Sequence, residues 1–303
     1  MKKSILILTV LLTFQSFAQQ DAVYSQYMYN QFVINPAYAG SRNAMSAVLM
    51  HRTRWMGMDG APTTSTFSFH SNRNNKGLAW GANFAADRLG PQAYVQFALA
   101  GAYHARLRKG KLSFALRAGI FNSSLNRNKL DFRDTGDFLA VGTRHTAIAP
   151  SIDFGVFYYT RKFYVGLSLN HLGNQTFDYS DIPTAEYHLR SFNTLGAGYA
   201  FEISEKLTLK PSFLVKQSDG FDANMDLNLS ALFYKRIWFG ISLRNKTSVN
   251  FLLDVNITDY MRVGYAYDLF INNLNSASSG AHEIFIGFDF NPKKTKTTST
   301  RYL

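Results

Sequence analysis

"FDANMDLNLSALF", residues 221–233, alternates from Phe221 to Ala231. Phe221, Ala223, Met225, Leu227, Leu229, Ala231 and Phe233 share one parity, and Asp222, Asn224, Asp226, Asn228 and Ser230 share the other. Successive side chains of a strand face opposite sides, so the stretch has one apolar wall and one polar wall. It is long for a globular strand but suits a tilted strand that crosses a bilayer with its ends standing clear.

The same period recurs upstream and downstream. Leu78, Trp80 and Phe84 oppose Gly81, Asn83 and Asp87, and Phe114, Leu116 and Ile120 oppose Ser113, Arg117 and Gly119. Such runs predict strands near 44–55, 64–71, 77–87, 92–107, 111–121, 148–160, 162–172, 190–202, 206–217, 221–234, 236–245, 248–256, 259–268 and 280–290. Lipid offers no partner to backbone N–H and C=O groups, so a sheet within it must close on itself. The expected fold is therefore all-β, a closed antiparallel transmembrane β-barrel of about 14 strands spanning 44–290.

Composition agrees. The 303 residues are 46% hydrophobic and 15% aromatic but only 17% charged, below the roughly 25% of a soluble domain. Lys2 and Lys3 precede an apolar run from Ser4 to Phe17, and Ser16 and Ala18 supply the small residues of a cleavage site. Residues 1–18 are thus expected to be a signal peptide for export to the cell outer membrane. The chain has no cysteine, which excludes disulfides, thiolate metal sites and a cysteine nucleophile. The net charge of +12 would suit nucleic acid, but the basic residues gather at turns, as in "RLRKGK" (106–111), "RK" (161–162) and "KR" (235–236). Turns beside lipid headgroups explain that placement better, so no nucleic-acid partner is expected.

Connection lengths carry a second signal. Those after even-numbered strands are short, whereas 122–147, 173–189 and 269–279 all follow odd-numbered ones. Outer-membrane barrels have short periplasmic turns and longer outer loops, so the chain should enter from the periplasm. The inward parity carries charges of both signs: Arg117, Lys210, Arg244 and Arg262 with Asp153, Asp226, Asp254 and Asp268. Bulky Tyr94, Phe157, Tyr164 and Trp238 share that parity. A lumen of this kind is expected to be partly filled by its own side chains rather than open to free diffusion.

Ahead of the strands, residues 19–43 are crowded with aromatics. Tyr24, Tyr27, Met28 and Phe32 fall on one face of a short helix, with Asp21 available as its cap. Asn35-Pro36 should end it, because the residue before proline avoids the helical region. These residues are expected to form a plug or hatch in or under the periplasmic mouth; a periplasmic docking arm is the other reading. A basic tail, 291–303, follows the last strand.

Chemical motifs fail on geometry. "DANMDLN" (222–228) imitates a calcium loop, but Leu227 replaces the glycine and Phe233 the closing glutamate. His282 and Glu283 are adjacent, so on a strand they face opposite sides. No hydrolase, zincin or phosphate-loop pattern is present, and no enzyme activity, catalytic residue, cofactor or metal is expected.

"QYMYNQFVINPAYAGS" (26–41), "HRTRWMGMDGAPTT" (51–64), "NHLGN" (170–174), "GYAYD" (264–268) and "SGAHEIFIGFDF" (279–290) together resemble the PorP/SprF family of the type IX secretion system. The resemblance implies a non-enzymatic outer-membrane barrel that supports secretion or surface attachment of large exported proteins, gliding adhesins among them, by receiving their C-terminal domains. It also implies that the long outer loops meet that cargo and that secretion or gliding components contact the periplasmic face. Asn35-Pro36-Ala37 ahead of fourteen strands is also similar to the hatch of fatty-acid transporter barrels, which would make the protein a channel for small hydrophobic molecules.

Overall fold

The computed structural model describes residues 23–42, 44–73, 77–130, 144–179, 182–218 and 220–290. The expected signal peptide (1–18), Asp21 and the basic tail (291–303) lie outside the described residues.

Fourteen staves follow in chain order. They are β1 Met45–Thr53, β2 Thr63–Arg73, β3 Leu78–Leu89, β4 Gln92–Arg106, β5 Lys111–Asn126, β6 Arg144–Tyr159 and β7 Phe163–Asn170. Then come β8 Phe192–Tyr199 continuing as Phe201–Ser204, β9 Leu207–Ser218, β10 Asn224–Phe233, β11 Ile237–Arg244, β12 Ser248–Asn256, β13 Met261–Phe270 and β14 Ala281–Phe290. Each pairs antiparallel with the next in this order, β7 and β8 doing so across an outer excursion. Both parts of β8 lie along β9, with a one-residue interruption at Ala200. The cylinder is sealed where β1 meets β14, in a ladder running from Met45↔Phe290 to Thr53↔His282. No stave is left with a free edge, as a lipid-embedded sheet requires.

The decisive stretch has the two walls it promised. Leu227 and Leu229 are 47% and 49% exposed, whereas Asn228 and Ser230 are 5% and 1% exposed. The exposed large side chains, such as Trp80, Leu99, Ile120 and Phe251, stand on the outer parity of other staves. The connections after even-numbered staves are 74–77, 107–110, 160–162, 205–206, 234–236 and 257–260, all short. They mark the periplasmic end.

Two outer features differ from the expected ladder. β5 and β6 extend to Asn126 and back from Arg144, paired throughout, so the loop expected over 122–147 narrows to 127–143. The loop expected over 173–189 contains a hairpin of Gln175–Tyr179 with Ile182–Leu189.

Candidate functional site

Residues 23–42 run through the barrel's interior. They form three short 3₁₀ turns, Tyr27–Tyr29, Gln31–Val33 and Pro36–Tyr38, rather than one helix. A one-faced helix needs one wall to cover, whereas this segment has wall on every side: Tyr27, Met28 and Tyr29 are all buried, and so are Gln26, Asn30 and Gln31. Asn35 opens the third turn instead of closing a helix. Its side-chain oxygen accepts from Ala37 N at 2.9 Å, and Pro36 takes the first position, where a missing N–H costs nothing.

The segment is tied to the staves by buried charges at both ends. Near the outer end, the Glu283 carboxylate accepts from the backbone N–H groups of Ser25 (2.9 Å) and Gln26 (2.8 Å). Ser25 Oγ donates to Asp268 at 2.7 Å, and Arg52 donates to Ser25 Oγ, Glu283 and Asp268 at 2.8, 3.1 and 2.5 Å. Arg244 makes a two-pronged pair with Asp226 (2.9 and 2.8 Å) and also donates to the Tyr24 carbonyl at 3.0 Å. Near the periplasmic end, Arg42 donates to Asp289 at 2.7 Å and to the Tyr38 hydroxyl at 3.0 Å. Burial alone would lower the Arg42 pKa, but Asp289 outweighs it and holds the guanidinium above its ordinary value. Since Arg52 pairs opposite Glu283 and Ser46 opposite Asp289, these two anchor points lie about 20 Å apart along the staves. The segment therefore spans most of the lumen, not only the periplasmic mouth.

Between the anchors, Arg117 donates to Asp153 at 2.6 Å, to the Phe32 carbonyl at 3.1 Å and to Asn170 at 3.3 Å. Arg262 donates to the Tyr29 carbonyl at 2.9 Å and lies 3.9 Å from both Asp254 and Asp289. Lys210 is held over the rings of Tyr164 (5.5 Å) and Trp238 (5.9 Å). With Arg42 and Arg52 this set numbers six cations, and Asp153, Asp226, Asp254, Asp268, Asp289 and Glu283 number six carboxylates, so it is balanced. Buried charge is tolerated where opposite signs face one another and are hydrogen-bonded; each of the five arginines is hydrogen-bonded, and Lys210 has ring faces instead.

Apolar packing fills what remains. Tyr27, Met28 and Tyr29 pack among Val48, Met50, Trp238, Leu252 and Phe285. Phe32 and Tyr38 pack among Ala79, Ala100, Ala102, Ala115 and Phe157. Burying Met28 and Phe32 alone contributes roughly 3–6 kcal/mol. Two glycines make the close approach possible. A Cβ on Gly81 would lie 2.5 Å from the Phe32 ring, and one on Gly155 would strike Asn35 Oδ1 and sit 3.0 Å from Ala37 N. Asn35 reaches the wall there, donating to the carbonyls of Val156 (3.1 Å) and Leu167 (3.2 Å).

Above the segment, toward the outer end, is a cavity of about 110 Å³. Tyr24, Tyr27, Val33 and Ile34 supply its floor, and Phe121, Phe192, Lys216, Asn224 and Arg244 stand among its walls. The outer hairpin folds toward it: Tyr187 stacks on Phe121, with centroids 5.8 Å apart, and lies 6.0 Å from Tyr94.

The residues singled out from sequence come together in this interior. Tyr24 hydrogen-bonds Thr66 at 2.8 Å, and Tyr27, Met28, Phe32, Asn35 and Pro36 are buried. The eight charges predicted to face inward are each 6% exposed or less. Arg42, Arg52, Glu283 and Asp289 went unpredicted. Glu283 and Asp289 share the inward parity of β14 and could have been read from it. Arg52 could not, because β1 is apolar on both faces: Leu49 is outside, while Val48 and Met50 pack inside.

A family model described as type IX secretion system membrane protein PorP/SprF matches residues 16–288. No curated protein matches the chain. Among solved structures, the Ralstonia pickettii toluene transporter TbuX is similar at TM-score 0.54 and 11% identity, over 86% of this chain and 93% of that one. The CymD monoaromatic hydrocarbon channel is similar at TM-score 0.51 and 12% identity, over 90% and 94%. At such identities the likeness concerns the outer-membrane barrel fold alone.

Proposed function

We propose a role in cargo handling for this chain, which belongs to the PorP/SprF family of type IX secretion system membrane proteins. The protein is an outer-membrane barrel of that system. In the proposed role it is a non-enzymatic, plugged platform that receives the C-terminal domain of a large exported protein, such as a gliding adhesin, at its outer end. The observation that carries this reading is the occupied lumen: a segment tied at both ends to buried charged side chains of the staves suits a scaffold better than a diffusion pore. The paired β5–β6 extension and the folded-in hairpin 175–189 supply a structured outer surface for the cargo, and the short-turn end faces the periplasmic components of secretion and gliding.

Affinity purification of the full chain from its native outer membrane tests this. Co-purification of one large surface protein in stoichiometric amount supports the role; its absence, together with absence of secretion components, overturns it. A second reading, a channel for small hydrophobic molecules, draws on the aromatic lining of the outer cavity. Mass spectrometry of the same preparation separates the two, since that reading requires a small apolar molecule bound in place of a surface protein.

A further inference from the structure

One arc of the periplasmic rim is strongly basic. Four consecutive periplasmic connections join β4 to β5, β6 to β7, β8 to β9 and β10 to β11. They present Arg108 and Lys109, Arg161 and Lys162, Lys206, and Lys235 with Arg236, all exposed. Against these seven cations the same arc sets Glu202, which pairs with Lys162 at 3.3 Å, and Glu205. The next connection, 257–260, carries Asp259 and no cation.

Three of the turns are closed by backbone hydrogen bonds. Leu107 N donates to Gly110 O at 2.9 Å, Thr160 N to Phe163 O at 2.8 Å and Arg236 N to Phe233 O at 2.9 Å. Neighbouring turns lie two staves apart, about 10 Å. Outward-pointing apolar side chains stand at the same level: Leu107 is 49% exposed, Ile203 59% and Tyr234 66%. Lys206 lies over the Tyr234 ring at 5.5 Å. Cations interleaved with exposed rings and aliphatic groups match the boundary where acyl chains give way to headgroups.

We propose that this arc binds the phosphate-bearing headgroups of anionic phospholipids in the periplasmic leaflet, holding an annulus of phosphatidylglycerol-like lipid beside β4–β11. The proposal rests on the barrel and its orientation alone and stands apart from any cargo.

The test uses the full mature chain, extracted in mild detergent and equilibrated with equal amounts of phosphatidylethanolamine and phosphatidylglycerol. Co-bound lipid is then counted by native mass spectrometry. Each cation near an anionic surface is worth about a fivefold factor, so phosphatidylglycerol should be retained at least roughly tenfold over phosphatidylethanolamine. Replacing Arg108, Lys109, Arg161 and Lys162 by Gln should bring the ratio close to one. Replacing Lys129 and Lys246 by Gln, exposed at the opposite end, should leave it unchanged. The heat-dependent gel shift of folded barrels verifies that each variant is assembled. A wild-type ratio near one, or a periplasmic-rim variant that keeps its preference, overturns the proposal. So does a rim variant whose lipid ratio stays fixed while a periplasmic protein is lost from native-membrane preparations, which would mark the arc as a protein-docking surface. Loss of cargo capture with the lipid ratio intact would count against the proposed function and leave this inference standing.

Discussion

Arg117→Met would remove one guanidinium from the middle of the lumen, and its cost reports whether that lumen is packed or watery. Arg117 and Asp153 are 6% and 1% exposed, and their pairing distance is 2.6 Å. Without Arg117, the Asp153 carboxylate keeps only the His171 backbone N–H, at 2.8 Å, and the Phe32 carbonyl loses its donor. Breaking a buried pair on one side costs about 3–5 kcal/mol, whereas the same pair facing water is worth about 0–1 kcal/mol. The measurement is reversible urea unfolding in phospholipid vesicles, followed by tryptophan fluorescence and the folded-barrel gel shift. Adding Asp153→Asn should recover much of the loss, with a coupling of at least about 2 kcal/mol in the double-mutant cycle. A single-variant cost below about 1 kcal/mol, or no recovery in the double variant, would refute the packed lumen.

Gly155→Leu should push Asn35 and Ala37 off the wall, since even a Cβ has no room there. In planar bilayers the variant is expected to show conductance steps that the parent chain lacks, with the barrel still assembled; a silent, folded variant would argue that the segment yields without moving. On the opposite face, Leu227→Arg should cost about 2–4 kcal/mol near the bilayer midplane, measured by the same urea unfolding. A neutral result would mean that this wall does not meet lipid.

The staves were legible because lipid outside and polar groups inside impose a period of two, and residues 221–231 obey it; Leu232 breaks it, buried in the interior cluster that holds Met28 and Trp238. Legibility failed where that contrast disappears. β5 runs on through Asn122, Ser123 and Ser124, which are polar on both faces, because it continues beyond the hydrocarbon where neither face needs to be apolar. The hairpin over 175–189 is hidden for the same reason. In β1 the contrast vanishes differently: Val48 and Met50 face inward because the lumen there contains Tyr27, Met28 and Tyr29 rather than water. The interior segment itself was visible as a crowd of aromatics, but its form was not. Helical spacing at Tyr24, Tyr27, Met28 and Phe32 implied a single covered face, whereas contact on all sides and the Asn35 cap divide it into separate turns. Arg52 becomes meaningful only once closure brings β1 beside β14 and Glu283.

The most direct test of an interior occupied by its own N-terminal residues is single-channel conductance of the mature chain beside a form lacking residues 19–38. The intact chain should pass almost no ion current, and the shortened one should open a stable aqueous path. Equal conductance from both would contradict the account.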